Sequence, residues 1–152
     1  MIVWSFKTVR GTMTKVAIAQ SSGKGAKAQP QWEVINFLGR GKAESRGIVD
    51  LLVIRKNHDE PGGGLNRGDQ FDIVIIQVKG GSARDPSAED VVRLQAVKDK
   101  YDAKAVLLSA WKVGSKAVFK ELVFGEWIDL EDPTQVFSPA RNKIRVKKAV
   151  TE

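Results

Sequence analysis

Two apolar runs, "GIVDLLVIRK" (residues 47–56) and "FDIVIIQVKGG" (residues 71–81), constrain this chain more than any other feature. Each is rich in valine, isoleucine and leucine, suits a pleated surface, and has the length of a strand. Between them lies "NHDEPGGGLNRGDQ", glycine-rich and polar, which reads as an extended hairpin tip. The sequence therefore predicts strands over 48–55 and 71–79, paired antiparallel. Three polar residues are out of place in these runs: Asp50 near the start of the first, and Gln77 and Lys79 at the end of the second. Side chains alternate along a strand, so Gln77 and Lys79 project to one face. Antiparallel pairing then sets Asp50 beside them, and an acid, an amide and an ammonium group meet at one end of a sheet.

The flanking segments fill out a mixed α/β sheet. "QWEVINFLGRG" has Trp32, Val34 and Leu38 on one parity and Ile35 and Phe37 on the other. Its composition favours a strand stopped by Gly39 and Gly41, although a turn or two of helix also fits. Upstream, "MTKVAIAQ" fits a short helix or a strand. "SSGKGAKAQP" reads as a loop or linker, and its "SGKG" is no phosphate-binding loop: the upstream glycine is missing and Gly25 stands where Ser or Thr is needed.

After "GGSARDP" a helix is predicted, with Ser87 as N-cap and Asp90 completing a capping box. Val91, Leu94, Val97 and Tyr101 recur at helical spacing and define a buried stripe, with Arg93, Gln95, Lys98 and Lys100 off it. "AKAVLLSAW" reads as a buried strand, "KVGSK" as a turn, and "AVFKELVF" as another strand. "GEWIDLEDPTQVF" is expected to be loop with aromatic anchors. The passage from 71 to 111 is long enough for a parallel crossover.

At 152 residues the chain has the size of one domain, and without cysteine it has neither disulfides nor thiolate metal sites. The apolar N-terminal patch is too short for a signal segment, and no apolar run is long enough to span a bilayer. The expectation is a soluble, cytoplasmic protein with no membrane partner. The net charge of +7 and a pI near 9.7 point to an anionic partner, for which DNA is the expectation. One basic cluster runs through Arg141, Lys143, Arg145, Lys147 and Lys148, and another through Lys24, Lys27, Arg40, Lys42 and Arg46. The expected division is an N-terminal segment and linker over 1–29, an α/β core over 30–138 and a basic tail over 139–152.

An acid, an amide and an ammonium group together suit metal-assisted hydrolysis of a phosphodiester. Magnesium takes oxygen ligands, commonly one or two carboxylates with water and substrate phosphate. Asp50 would bind the ion, Gln77 would offer its amide oxygen, and Lys79 would stabilise charge developing on the phosphate.

At these residues the chain resembles a known family. "GIVDLL" with "IIQVKGG" looks like the paired motif of the PD-(D/E)xK nuclease superfamily, in a QxK variant, and the resemblance covers roughly residues 32–124. It implies a restriction-endonuclease-like fold, a single domain with a mixed β-sheet flanked by helices. It also implies DNA hydrolysis with Mg2+ or Mn2+ bound by Asp50 and Gln77. Gln77 replaces the usual acid, which should weaken metal affinity, although some active members are similar in having Gln there. The family often has an earlier Glu on its first helix. Glu33 and Glu44 are the available acids, and Glu33 is favoured. The predicted helix flanks the site in the family, so Arg93, Gln95 and Lys98, with Lys42 and Arg46, are expected to contact DNA. Symmetric cutting of a duplex requires two copies, so a homodimer fits that mode. The alternative is a catalytically silent module of the same fold that binds nucleic acid or an acidic protein. Elsewhere, His58 is the only histidine and sits in the glycine-rich tip, so neither a histidine-based triad nor a zinc cluster is expected. Asp72 is expected to mark the start of its strand, and Trp111 and Trp127 to anchor the core or its rim.

Overall fold

The computed structural model describes residues 6–14, 32–37, 47–81 and 83–137. A helix over 6–14 (α1) is followed by strands β1 (Glu33–Asn36), β2 (Leu51–Asn57) and β3 (Gln70–Gly80). Then come helix α2 (Ala88–Lys100), strands β4 (Ala105–Trp111), β5 (Val118–Val123) and β6 (Glu126–Leu130), and a short helix α3 (Thr134–Phe137). The six strands form one sheet in sequence order. Every neighbouring pair is antiparallel except β3 and β4, which run parallel as the crossover through α2 demands. Residues 38–46, including Leu38, Gly39, Gly41, Lys42, Glu44 and Arg46, lie outside the described residues, as do the segments 15–31 and 138–152. Among the described residues no helix is long and apolar enough to cross a membrane.

The central strands β2, β3 and β4 are largely apolar on both sides because both faces are covered. On one face Leu51, Val53, Val74, Ile76, Ala105 and Leu107 pack with Val9 and Met13 of α1 and Val136 and Phe137 of α3. On the other, Ile75, Val106 and Leu122 pack against Leu94 of α2. Residues 6–14, assigned from sequence to the N-terminal segment, thus contribute to the core of the sheet.

Helix α2 is closed at both ends by its own side chains and backbone. Ser87 Oγ accepts the Asp90 amide at 3.2 Å, and the Asp90 carboxylate accepts the Ser87 amide at 3.1 Å, completing the predicted capping box. At the other end Asp102 turns left-handed at φ 50°, which lets the Ala103 amide reach back to the Lys98 carbonyl at 2.9 Å. The Lys104 amide then bonds the Ile73 carbonyl at 2.7 Å, and β4 begins alongside β3. The predicted stripe holds for Leu94, fully buried, and for half-buried Val91 and Val97. It fails at Tyr101, which stands at the C-cap, past the last residue of the helix, and is 57% exposed.

Two further expectations are corrected. The segment expected as loop after Phe124 contains β6 and α3. A two-residue turn joins β5 to β6, with φ of 50° at Phe124 and 82° at Gly125, the backbone of a primed hairpin turn that usually carries Asn-Gly. Asp72 does not open its strand, which starts at Gln70. It stands opposite Arg55 on β2, and its carboxylate accepts Arg55 Nε at 2.9 Å and Asn57 Nδ2 at 3.1 Å. The Arg55 guanidinium also lies 4.4 Å over the Trp32 ring, whose Nε1 donates to the Phe137 carbonyl at 3.0 Å.

Arg55 is 7% exposed, so removing its carboxylate partner strands a buried cation. Asp72→Ala is expected to lower unfolding free energy in urea by about 3 kcal/mol. The Arg55→Met, Asp72→Leu double variant is expected to lose less than that single change.

Candidate active site

The register of β2 and β3 brings the three predicted polar residues together. Leu51 stands opposite Ile76, so Asp50, one residue before β2, stands opposite Gln77. Asp50 is stitched in from both sides: its amide donates to the Ile76 carbonyl at 3.1 Å, and its carbonyl accepts the Phe37 amide at 3.1 Å. Its carboxylate Oδ2 accepts the amide of Val78 at 2.7 Å. Val78 lies between Gln77 and Lys79, so this bond holds the acid next to both. It also extends the ladder past the end of β2, with a side-chain oxygen where a main-chain oxygen would otherwise stand.

Gln77 points to the α2 face of the sheet with Ile73 and Ile75 and is 6% exposed. Its Oε1 is buried and has no hydrogen-bond partner among the described residues. A buried acceptor left unpaired costs about 1–3 kcal/mol, so this oxygen calls for a cation or a donor. Lys79 is half-buried on the same face, two residues or about 7 Å further along β3. Among the described residues its ammonium has no acid within ion-pair distance.

The other sequence candidates fall elsewhere. Glu33 is exposed and pairs with Ile54. It lies four residues, about 13 Å, along the chain from Phe37, the residue bonded to Asp50, and so is not brought to the acid. Helix α1, "FKTVRGTMT", contains no acid. Among the described residues no three acids or histidines converge to hold a metal. The oxygen donors at this end of the sheet are one carboxylate and one buried amide, a set that suits magnesium or manganese carrying water and substrate phosphate in its other positions.

On α2, Arg93 is exposed and lies 3.8 Å from Asp90, Gln95 Nε2 donates to Asp99 at 2.9 Å, and Lys98 is half-buried. Lys42 and Arg46 lie outside the described residues. The carboxyl ends of β3 and β4 also bring Arg84, Lys112 and Lys116 to the Lys79 end of the sheet, residues that the sequence reading left as turn. Lys120 faces the same side as Gln77, through the register Gln77–Leu108–Lys120, and pairs with Asp129 at 3.8 Å.

The charge of the chain divides unevenly. Fourteen of the 25 Lys and Arg and sixteen of the 18 Asp and Glu belong to the described residues, which thus carry slightly more acids than cations. The positive excess belongs to 15–31, 38–46 and 138–152. Comparison with protein-family models, curated proteins and solved structures finds no match to this chain.

The unpaired Gln77 oxygen gives the donor set a test independent of activity. Gln77→Leu is expected to raise the melting temperature in chelator by a few degrees, because it removes a buried unpaired acceptor. If Asp50 and Gln77 hold Mn2+, millimolar Mn2+ is expected to raise the melting temperature of the unsubstituted protein and to leave that of Gln77→Leu unchanged.

Proposed function

We propose that this chain is a divalent-metal-dependent nuclease of the PD-(D/E)xK type, with a restriction-endonuclease-like fold, that hydrolyses DNA phosphodiester bonds. The observation that carries this reading is the bond from the Val78 amide to the Asp50 carboxylate, which holds the acid against the Gln77-x-Lys79 strand end. The order of elements supports it: a helix, three antiparallel strands, a helix, and a strand parallel to the third.

Asp50 and Gln77 are the residues that would hold Mg2+ or Mn2+, and the ion, when bound, supplies Lewis acidity at the scissile phosphate. Asp50 is oriented by the Val78 amide, so its geometry is set before substrate arrives. Gln77 contributes a neutral oxygen, which leaves the site with less negative charge to repel a phosphodiester. The Lys79 ammonium, half-buried and without an acid of its own among the described residues, stabilises negative charge that develops on the phosphoryl oxygens.

A cleavage assay on supercoiled, linear, single-stranded and branched DNA with Mg2+ or Mn2+ tests this reading. Cutting is expected to fall at least about 100-fold in Lys79→Ala. The same fall is expected in Asp50→Asn, which keeps an acceptor for the Val78 amide while removing the charge. Salt-sensitive DNA binding without any cutting by the unsubstituted protein would favour the silent binding module instead.

A further inference from the structure

Beside the Asp50 end of the sheet runs an open groove of about 750 Å³, between α2 and the residues that flank Asp50. Its walls are mostly apolar, from Phe37, Ile48, Val49 and Val97, and it is bracketed by Arg93 and Tyr101. Arg93 and Tyr101 are eight residues apart on α2, which gives the groove a length of about 12 Å. Two large aromatics face solvent here: Phe37 is 47% exposed and Tyr101 57% exposed. We propose that this groove is a subsite for an unpaired nucleobase, so that the substrate class is DNA with a single-stranded segment rather than continuous duplex. This inference rests on the nuclease reading and names its substrate.

Three observations carry it. The groove is continuous with the acid, since the Phe37 amide donates to the Asp50 carbonyl at 3.1 Å and Ile48 and Val49 directly precede Asp50. A nucleotide whose base lies in the groove can therefore present its phosphate to Asp50, Gln77 and Lys79. The apolar walls are edged by cations: Arg93, whose ion pair with Asp90 is exposed and weak, and Lys100, whose Nζ lies 5.9 Å from the Tyr101 ring centroid. Aromatic platforms edged by cations suit a single strand, because every base offers a face to stack and every nucleotide a phosphate to neutralise. In a duplex those faces are covered by neighbouring base pairs. Thirdly, phosphate neutralisation serves single strand and duplex alike, so what separates the two at this groove is the exposed aromatic surface of Phe37 and Tyr101. A single-strand cutter also needs no second copy of the site.

Tyr101 is the only tyrosine in the chain, so 3-fluorotyrosine incorporation into the full-length protein gives a single 19F resonance inside the groove. An oligodeoxyadenylate titrated in chelator, so that nothing is cut, is expected to shift this resonance, while a duplex of equal length leaves it in place. Phe37→Ala is expected to weaken single-strand affinity about five- to a hundredfold, with an unchanged urea midpoint because Phe37 is exposed. A resonance that ignores the single strand, or responds equally to duplex, overturns the subsite. If Lys79-dependent cutting persists in that case, the nuclease reading stands without it. A shift with single strand in a protein that cuts nothing supports the subsite and sinks the nuclease. Binding of an apolar peptide with no binding of DNA overturns both.

Discussion

Strand β3 is hydrogen-bonded along both edges and covered on both faces, and the rest of the molecule is arranged around that condition. Its left-hand neighbour runs against it and its right-hand neighbour runs with it, so its carboxyl end is where the two patterns part. There β2 has not yet begun, and a backbone amide at Val78 is left for Asp50 to satisfy. Along β3 a polar side chain is either partnered within the sheet, as Asp72 is by Arg55, or placed where the pairing with β2 opens. Gln77 and Lys79 occupy that opening, and Asp50 is drawn to it by an elementary need to pair a main-chain donor.

What could be read in the sequence follows the strength of local signals. The hairpin of β2 and β3, the capped helix and the parallel β4 were legible because alternation, a capping box and chain length each point one way. The meeting of Asp50, Gln77 and Lys79 followed from alternation and antiparallel pairing alone. Glu33 shows the limit: its position on the sheet depends on the register of β1, which no residue in that short strand announces. Hairpin β5–β6 was missed because Phe124 adopts the left-handed backbone usually left to Asn or Gly. The Arg55–Asp72 pair was missed because a charged residue in an apolar run says nothing of its partner until strands are aligned. Tyr101 has helical spacing but stands past the last residue of the helix, at its C-cap.

The uneven distribution of charge separates two physical tasks. In the proposed nuclease, attraction over distance to DNA would fall to the segments that hold the positive excess, while the sheet and α2 would supply shape, aromatic surface and a fixed acid. The first task is screened by salt within about 10 Å at ordinary ionic strength, whereas contact stacking and a bond held inside a sheet are screened much less. Encounter and commitment can therefore respond differently to the same change in solution.

The position of Asp50 outside β2 has one more consequence. Gln77 and Lys79 belong to the strand with neighbours on both sides, whose amides should open to solvent only when the whole domain unfolds. Asp50 is bonded to that same strand through Ile76 and Val78, and on its other side to Phe37, next to the four-residue strand β1 at the border of the sheet. The candidate centre thus straddles a gradient of local stability, anchored on one side in the last part to unfold and on the other in an early one. Fraying of β1 releases the Phe37 amide but leaves both bonds from Asp50 to β3, so the acid, the amide and the ammonium stay together while the border opens, and what loosens first is the groove wall that Phe37 provides.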